Sequence, residues 1–265
     1  MSGMLALIAG QGLLPGILAE ALPAPPLVCA LRTFEPDTLK PDIVFRLETL
    51  GSFLADLTSR GVTDVCFAGS IRRPEIDPAA IDAATLPLVP MLQKALQSGD
   101  DGALRAVMAL FESHGLNVKA AHEIVPALLP DGGILTRAQP DAQDETDATR
   151  GADVVRAMAA ADIGQACVVA NGQALAVEAT FGTDWMLSSL RDRPQSPPGG
   201  LLFKAPKPGQ DRRADLPTIG RSTVEGAMQA GLGGMVIARG GVMVLERDAV
   251  VRACDDAGLF LWVRD

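Results

Sequence analysis

Charged residues that could act on a phosphate are concentrated in one proline-rich segment, residues 204–218. Lys204, Lys207, Gln210 and Asp215 lie there together with two neighbouring arginines. The prolines and the glycine exclude a regular helix, so an ordered loop should display these charges. Such a set could neutralise a diphosphate while a carboxylate binds a metal or activates water. The alternative is an ordinary charged surface loop, which is what a charge run by itself usually forms.

A second oxygen-rich block follows a predicted strand. Glu178, Thr183 and Asp184 surround a turn at Gly182. Carboxylate and hydroxyl oxygens suit a hard cation such as Mg²⁺, which keeps waters and shares substrate phosphates. Thr183 or Asp184 could instead cap a helix over residues 185–190, and the two roles are compatible.

Gly10, Gln11 and Gly12 lie between a predicted strand and a predicted helix. Backbone N–H groups at such a turn favour a phosphate. The block is not the dinucleotide fingerprint, because Pro15 and Gly16 stand where its third glycine is expected. A purely steric turn is an equal alternative for these residues taken alone.

A similar turn after a later strand contains Gly69, Ser70, Arg72 and Arg73. In open α/β sheets, ligands bind at the carboxyl ends of the strands, where these residues should lie. The two arginines could hold a diphosphate. A solvated basic loop is the slightly favoured alternative for these residues alone.

Composition excludes several classes of protein. The 265 residues carry 23 Lys+Arg and 32 Asp+Glu, a net charge of −9, which opposes sequence-independent binding to nucleic acid. Four isolated cysteines without a C-x-x-C motif indicate reduced core thiols of a cytosolic protein, and only two histidines argue against zinc. No apolar run reaches the roughly 18 residues of a spanning helix, and the N-terminus has no basic region, so we expect a cytoplasmic chain.

The elements that must position these residues follow two different patterns. In the first half, short apolar runs alternate with helical patterns, which predicts β-α-β units and a parallel sheet. Strands are expected at 5–9, 27–31 and 65–68, and helices at 15–22, 51–60 and 103–114.

The second half should be an α+β domain with hairpins. Asn171-Gly172 predicts one hairpin, and Gly240-Gly241 suggests a second between runs 235–238 and 242–245. Ser222 to Glu225 fits a capping box for a helix that ends at Gly231. The acidic, Gly/Pro-punctuated stretch 129–151 has the composition of an exposed linker. These patterns predict domains over 1–130 and 151–265, with residues 131–150 as linker and hinge.

Several sequence blocks distributed over nearly the whole chain form a specific combination. They are LIAGQGLLP at 7–15, FAGSIRRP at 67–74, GDD at 99–101, DIGQ at 162–165, VEA at 177–179, GTD at 182–184, KAPKPGQ at 204–210 and DLPTIG at 215–220. This set resembles the LpxI-type UDP-2,3-diacylglucosamine pyrophosphatases of lipid A biosynthesis. Ser70 and Phe181 depart from the pattern of that family, but neither replaces an expected ligand.

The resemblance implies a Mg²⁺-dependent hydrolase that converts UDP-2,3-diacylglucosamine to UMP and 2,3-diacylglucosamine 1-phosphate (lipid X). It also implies an N-terminal Rossmann-like domain, a C-terminal catalytic domain of unusual fold, and a cytoplasmic enzyme peripheral to the inner membrane. In that family the aspartate of the DLPTIG block, here Asp215, is catalytic. A homodimer is the expected oligomer, on the general prevalence of dimers.

Residues and resemblance combine into one site hypothesis. Asp215, with Asp184 or Glu178, would bind Mg²⁺ and position water, while Lys204 and Lys207 neutralise phosphoryl oxygens. The expected substrate-binding residues are Gly10, Gln11, Gly12, Gly69, Ser70, Arg72, Arg73, Gln165, Gly182, Thr183, Gln210 and Thr218.

Two other function classes stay open. A non-catalytic nucleotide-sugar sensor would need the glycine-rich turn and the lysines but not Asp215. A sugar-nucleotide dehydrogenase is disfavoured by the broken dinucleotide fingerprint.

Overall fold

The computed structural model describes residues 3–72, 74–97, 100–191, 199–213 and 216–265. The chain divides into two compact units. The first contains Met1–Pro126 and Asp211–Asp215, and the second contains Ala127–Gln210 and Leu216–Asp265.

The first unit is built on a parallel sheet of five described strands. They are β1 (Met4–Ala9), β2 (Leu27–Leu31), β3 (Ile43–Phe45), β4 (Val62–Ala68) and β5 (Asn117–Lys119). The order is β3-β2-β1-β4-β5, and every neighbouring pair is parallel. Residues 6–9 of β1 are all buried, as the continuous apolar run of a covered parallel strand requires. Because the chain order reverses beside β1, the carboxyl ends of β1 and β4 form the switch point where such sheets bind ligands.

The first unit contains five described α-helices. They are α1 (Leu14–Ala21), α2 (Leu50–Ser59), α3 (Val89–Gln97), α4 (Asp100–Ser113) and α5 (Ala121–Ile124). Phe53 of α2 stacks on Phe45 with ring centroids 4.0 Å apart, and it makes an edge-to-face pair with Phe111 of α4, with centroids 6.4 Å apart. The predicted parallel sheet and the helices near 15–22, 51–60 and 103–114 are confirmed, with Gly115 (φ 81°) two residues beyond the end of α4.

The second unit contains a mixed sheet of six described strands in the order β6-β13-β11-β9-β7-β8. The strands of the unit are β6 (Gly133–Ile134), β7 (Ala166–Ala170), β8 (Gln173–Val177), β9 (Leu201–Lys204), β10 (Thr218–Ile219), β11 (Gly234–Ala238), β12 (Met243–Val244) and β13 (Phe260–Arg264). The central strands β9, β11 and β13 are parallel, whereas β6, β7 and β8 add antiparallel pairs. Strands β10 and β12 form a separate parallel pair.

The helices of the second unit are α6 (Ala142–Ala160), α7 (Gly182–Ser189), α8 (Arg221–Gln229) and α9 (Arg247–Ala257). The expected fold class, a parallel-sheet unit followed by an α+β unit with a hairpin, is confirmed. None of the helices in the described ranges has both the length and the apolar character needed to cross a membrane.

The hairpin predicted at Asn171-Gly172 is confirmed between β7 and β8. Both residues have positive φ, 51° and 77°, as a type I′ turn demands. The buried Asp147 carboxylate accepts hydrogen bonds from their backbone N–H groups at 2.8 and 2.6 Å. The turn is therefore fixed by helix α6 as well as by its own residues.

The hairpin predicted at Gly240-Gly241 is wrong. Strand β11 pairs in parallel with β9 and β13, and β12 pairs in parallel with β10. A Cβ atom at Gly241 would lie 2.6 Å from the Cδ of Pro206, so the glycine allows a close approach to that ring. The following Val242 is buried in the core, which a two-residue turn signal does not anticipate.

Two further local predictions are corrected. Helix α8 begins at Arg221 with Gly220 as its N-cap, so the capping box predicted at 222–225 is wrong, although Gly231 (φ 67°) follows the helix end as predicted. Residues 142–150 form the first turns of α6 rather than an irregular linker. Asp141 accepts hydrogen bonds from the N–H groups of Gln143 and Asp144 at 2.8 and 2.9 Å, because acidic residues stabilise a helix N-terminus.

Candidate functional site

A buried lysine at the carboxyl end of β9 organises polar side chains of the second unit. Lys204 is only 6% exposed. Its Nζ donates hydrogen bonds to Thr183 Oγ1 at 2.8 Å and to the backbone oxygen of Thr218 at 3.0 Å. Thr183, on α7, in turn donates its hydroxyl hydrogen to Glu178 Oε1 at 2.6 Å. A buried cation and a buried carboxylate are thus joined through one hydroxyl.

Glu178 is held on its other side by the chain that leads into β7. Its Oε2 accepts the N–H of Gln165 at 3.0 Å, and the Gln165 carbonyl accepts the N–H of Ala205 at 3.0 Å. A Cβ atom at Gly164 would lie 2.2 Å from the backbone oxygen of Glu178, so this approach requires glycine. We call Gln165, Glu178, Thr183, Lys204 and Thr218 the lysine cluster.

The lysine cluster can act on an anion. The Lys204 charge is held by its partners at one position, and a charge held in a low-dielectric site interacts strongly with developing negative charge. Within the described part of the chain, the buried Oε1 of Gln165 has no hydrogen-bond partner. An unpaired buried acceptor is costly unless a ligand supplies a donor, such as a hydroxyl or an amide N–H.

Lys207 and Gln210 tie the loop after β9 to itself and to a neighbouring turn. Lys207 Nζ pairs with Asp162 Oδ1 at 2.5 Å, and the Lys207 N–H donates to Gln210 Oε1 at 2.9 Å. Asp162 adopts a positive φ of 52°. The loop is therefore ordered by named contacts rather than displayed as a loose charge run.

The carboxylate proposed next to Thr183 has a different environment. Asp184 is exposed on α7, and the helix begins at Gly182 with Phe181 as N-cap and no side-chain cap. The prediction that Thr183 or Asp184 caps a helix starting at residue 185 is therefore wrong.

The carboxylates near Lys204 are the candidate ligands for a metal ion. Among the described residues, no three His, Cys, Asp or Glu side chains come together as a cage. Mg²⁺ is commonly held by one or two carboxylates, water and substrate phosphates, which the exposed Asp184 fits. Each Glu178 oxygen already accepts one hydrogen bond but retains a further lone pair. Asp215, the third predicted ligand, lies outside the described residues.

The glycine-rich turns of the first unit contact each other. Gln11 N–H donates to Ser70 O at 3.0 Å, and Ser70 N–H donates to Gln11 O at 2.8 Å. A Cβ atom at Gly10 would lie 2.6 Å from Ser70 O, and one at Gly69, whose φ is 92°, would lie 2.7 Å from Gln11 O. The steric alternative therefore explains Gly10 and Gly69 without a ligand.

Gly12 differs from the other two glycines. Its φ is 97° and no atom would obstruct a Cβ within 4 Å. Its N–H donates to Asp37 Oδ2 at 2.6 Å, so a carboxylate of the protein occupies the place expected for a phosphate. Arg72 is exposed beyond the second turn, whereas Arg73 lies outside the described residues.

The four cysteines and His122 are not members of the lysine cluster. All four cysteines are free and buried, as predicted, and burial raises the pKa of each thiol to about 12. Burial, and then the charge of Arg212, lowers the pKa of His122.

Sequence reasoning selected four residues that the structure brings together: Glu178, Thr183, Lys204 and Thr218, with Gln165 contributing its backbone. The sequence did not predict that Asp37, 25 residues from Gly12, accepts the Gly12 N–H. It also did not predict the ion pair of Asp162 with Lys207. The residues around Gly12 do not indicate Asp37 as a hydrogen-bond partner, because the contact depends on how the loop that carries Asp37 packs.

The two units define an α/β protein with a five-stranded parallel sheet in one unit and, in the other, a mixed sheet that carries a buried lysine held by Thr183 and Thr218. The LpxI N-terminal domain model matches residues 4–128, and the LpxI C-terminal domain model matches residues 131–262. The chain is 40% identical over 268 residues to the UDP-2,3-diacylglucosamine pyrophosphatase LpxI of Caulobacter vibrioides, covering 97% of this chain and 96% of that protein. The chain therefore belongs to the LpxI family.

Proposed function

We propose that the protein hydrolyses the pyrophosphate bond of UDP-2,3-diacylglucosamine in lipid A biosynthesis, and that it releases UMP and lipid X. The name of the Caulobacter relative supports this substrate. The observation that carries the proposal is the lysine cluster, in which Lys204 is buried and held by Thr183 and Thr218.

Lys204 and Lys207 neutralise the diphosphate. Phosphoryl transfer requires positioning and charge stabilisation more than covalent work by the protein. Lys204 is held in place because Thr183 Oγ1 and the Thr218 backbone oxygen accept hydrogen bonds from its Nζ at 2.8 and 3.0 Å. Its charge therefore acts at one position without reorganisation during the reaction.

Glu178 and Thr183 position Lys204. An ionised carboxylate only accepts hydrogen bonds, so the Thr183 hydroxyl donates to Glu178 and turns a lone pair to Lys204 Nζ. The unpaired Gln165 Oε1 is suited to a hydroxyl or amide N–H of the acylated sugar, because a phosphate oxygen supplies no donor.

Asp215 is assigned as the residue that orients the attacking water and accepts its proton. Water attacks the phosphorus nearer the sugar, the bond from that phosphorus to the bridging oxygen breaks, and UMP leaves. Mg²⁺, held by Asp215 with Asp184 or Glu178, would supply further charge neutralisation on the phosphoryl oxygens. The assignment of Asp215 rests on the family resemblance.

The rest of the binding site belongs to the same proposal. Gly10, Gln11, Gly12, Gly69 and Ser70, on two turns that contact each other, are assigned to substrate binding on the family resemblance, with either end of the substrate open to them. Further contacts come from Arg72, Arg73, Gly182 and Gln210. A cytoplasmic homodimer in peripheral contact with the inner membrane completes the proposal.

The test is phosphorus NMR of the purified protein with UDP-2,3-diacylglucosamine in ¹⁸O-labelled water, with Mg²⁺ and separately with EDTA. We expect Mg²⁺-dependent formation of UMP and lipid X, with the label on the lipid X phosphate. Label on UMP would keep the reaction and overturn the attack site. Turnover that persists in EDTA would overturn the metal requirement.

Two variants separate the enzyme from a nucleotide-sugar sensor. Asp215→Ala should abolish turnover and retain binding of the substrate. Asp153→Ala, which removes an exposed ion pair with Arg156, is the matched control and should keep the wild-type rate. Tight binding by a wild-type protein that shows no turnover would favour the sensor.

A further inference from the structure

Arg213 makes ion-pair contacts with two carboxylates, those of Asp211 and Glu112. Its Nε and Nη2 donate to Asp211 Oδ1 and Oδ2 at 3.0 and 2.7 Å, which is a two-pronged contact. Its Nη1 donates to Glu112, near the end of α4. The Arg213 backbone N–H also donates to Asp211 Oδ1 at 3.1 Å.

These contacts explain why a short segment joins the first unit. Residues Asp211–Asp215 belong to that unit, although the chain on either side, up to Gln210 and from Leu216, belongs to the second. Glu112 supplies the contact from α4, 101 residues earlier in the chain. The segment is therefore anchored by a charge that a distant helix holds.

The ion pairs of Arg213 with Asp211 and Glu112, which we call the anchor, fix the position of the segment more than they stabilise the fold. The Arg213 side chain is 38% exposed, and exposed ion pairs stabilise a protein by only about 0.2–1 kcal/mol. A guanidinium fork held by two carboxylates nevertheless fixes direction as well as distance. The hydrogen bond from Arg213 lowers the pKa of Asp211, so that carboxylate stays ionised at neutral pH.

We propose that Arg213 is a positioning residue, which holds the start of the DLPTIG block so that Asp215 meets the substrate in one geometry. The inference rests on the proposed function, in which Asp215 is catalytic. Two peptide units span at most about 7 Å, so an anchor at Arg213 restricts the residues that follow. A misplacement of about 1 Å can cost on the order of 100-fold in rate.

The test compares Arg213→Ala and Glu112→Gln with the wild type in turnover and in hydrogen exchange. Arg213→Ala should lower kcat on the order of 10- to 100-fold while KM stays within about twofold. The melting temperature should change by no more than about 4 °C, because the ion pairs are exposed. Deuterium uptake should rise only in peptides that cover residues 205–220. Glu112→Gln should shift the same quantities in the same direction.

Charge exchange separates positioning from direct contact with the substrate. In the double variant Glu112→Arg, Arg213→Glu, the guanidinium lies on α4 and faces two carboxylates of the segment. Positioning predicts recovery of kcat to within about tenfold of wild type. Arg60→Ala, which breaks an exposed ion pair with Asp56 in the same unit, is the control and should change neither rate nor uptake.

Three results would overturn the proposal: an unchanged kcat in Arg213→Ala, unchanged uptake at 205–220, or a charge exchange that does not recover the rate. The last would mean that Arg213 acts on the substrate itself. An inactive wild type, or full activity in Asp215→Ala, would instead overturn the proposed function. Hydrogen exchange still tests the anchor in that case.

Discussion

Both units place a short polar block directly after a buried strand, but the atoms of the two blocks have different tasks. In the first unit, the turns at Gly10 and Gly69 join through backbone hydrogen bonds, and their glycines leave room for the opposite turn. In the second unit, the contacts run from side chain to side chain through Lys204. A glycine whose Cβ would collide with the protein has a steric explanation, whereas a buried cation needs a chemical one.

The energetics of the two blocks differ in the same way. Backbone pairing between turns satisfies groups that folding would otherwise leave unpaired. Burial of Lys204 and Glu178 removes two charges from water, and such pairs are often no more stable than apolar replacements. We therefore propose that function, rather than stability, accounts for the burial of Lys204 and Glu178.

Replacing Lys204 should have the largest effect. Lys204→Met keeps the apolar stem and removes the charge that we propose neutralises the phosphoryl oxygens. We expect kcat to fall on the order of 100- to 1000-fold, while the affinity for UMP changes little. Steady-state kinetics and calorimetry of UMP binding measure the two quantities.

The matched control is Lys119→Met, which removes a half-exposed lysine on β5 of the first unit that faces Asp64 on β4. It should retain wild-type kinetics. A Lys204→Met protein with wild-type kcat would move the chemistry out of the lysine cluster.

Replacing Gly10 and Gly12 of the first unit should lower stability by different amounts. Gly10→Ala puts a Cβ 2.6 Å from a backbone oxygen and should cost about 2–3 kcal/mol of unfolding free energy. Gly12→Ala meets no atom and carries only the strain of φ 97°, about 1 kcal/mol. Urea unfolding measures both, and equal costs for the two variants would contradict the steric explanation.

Glu48, a buried carboxylate of the first unit, can be compared with Glu178 of the second. The hydrogen bond from Arg46, with help from the backbone N–H of Asp77, lowers the pKa of Glu48 to about 2. Because the folded-state pKa is lowered, the stabilisation is complete above the unfolded value of about 4.5 and is lost as pH falls through about 2. Glu48→Gln should therefore cost about 1–3 kcal/mol at pH 7.

The difference between wild type and Glu48→Gln should shrink as the pH falls from about 4.5 towards 2 in urea unfolding. Glu20→Gln, at an exposed position on α1, should show no such dependence. A constant difference between the wild type and Glu48→Gln across this range would contradict the ion pair as its cause.

The sequence predicted correctly those strands and turns whose conformation depends on neighbouring residues in the chain. The run 27–31 is apolar throughout and forms β2 with those bounds. Asn171-Gly172 forms the expected turn because both residues tolerate positive φ. The membership of Glu178, Thr183 and Lys204 in one site followed from their chemistry and from the family resemblance.

The predictions that failed depend on partners far away in the chain. Gly241 makes room for Pro206, so its pair of glycines does not mark a hairpin. Asp141 caps α6, so an acidic stretch that has the composition of a linker begins a helix. The contact of Gly12 with Asp37 depends on how a loop packs, which local sequence does not encode.

The most direct test of the account compares two replacements of Thr183 under single-turnover conditions. Thr183→Val keeps the shape and removes the hydroxyl that joins Glu178 to Lys204, and we expect the rate to fall on the order of 100-fold. Thr183→Ser keeps the hydroxyl and loses one methyl group, about 1 kcal/mol, so its rate should stay within about tenfold of wild type. If Thr183→Val turns over as fast as Thr183→Ser, the hydroxyl bridge has no part in catalysis and the lysine cluster is not the reactive centre.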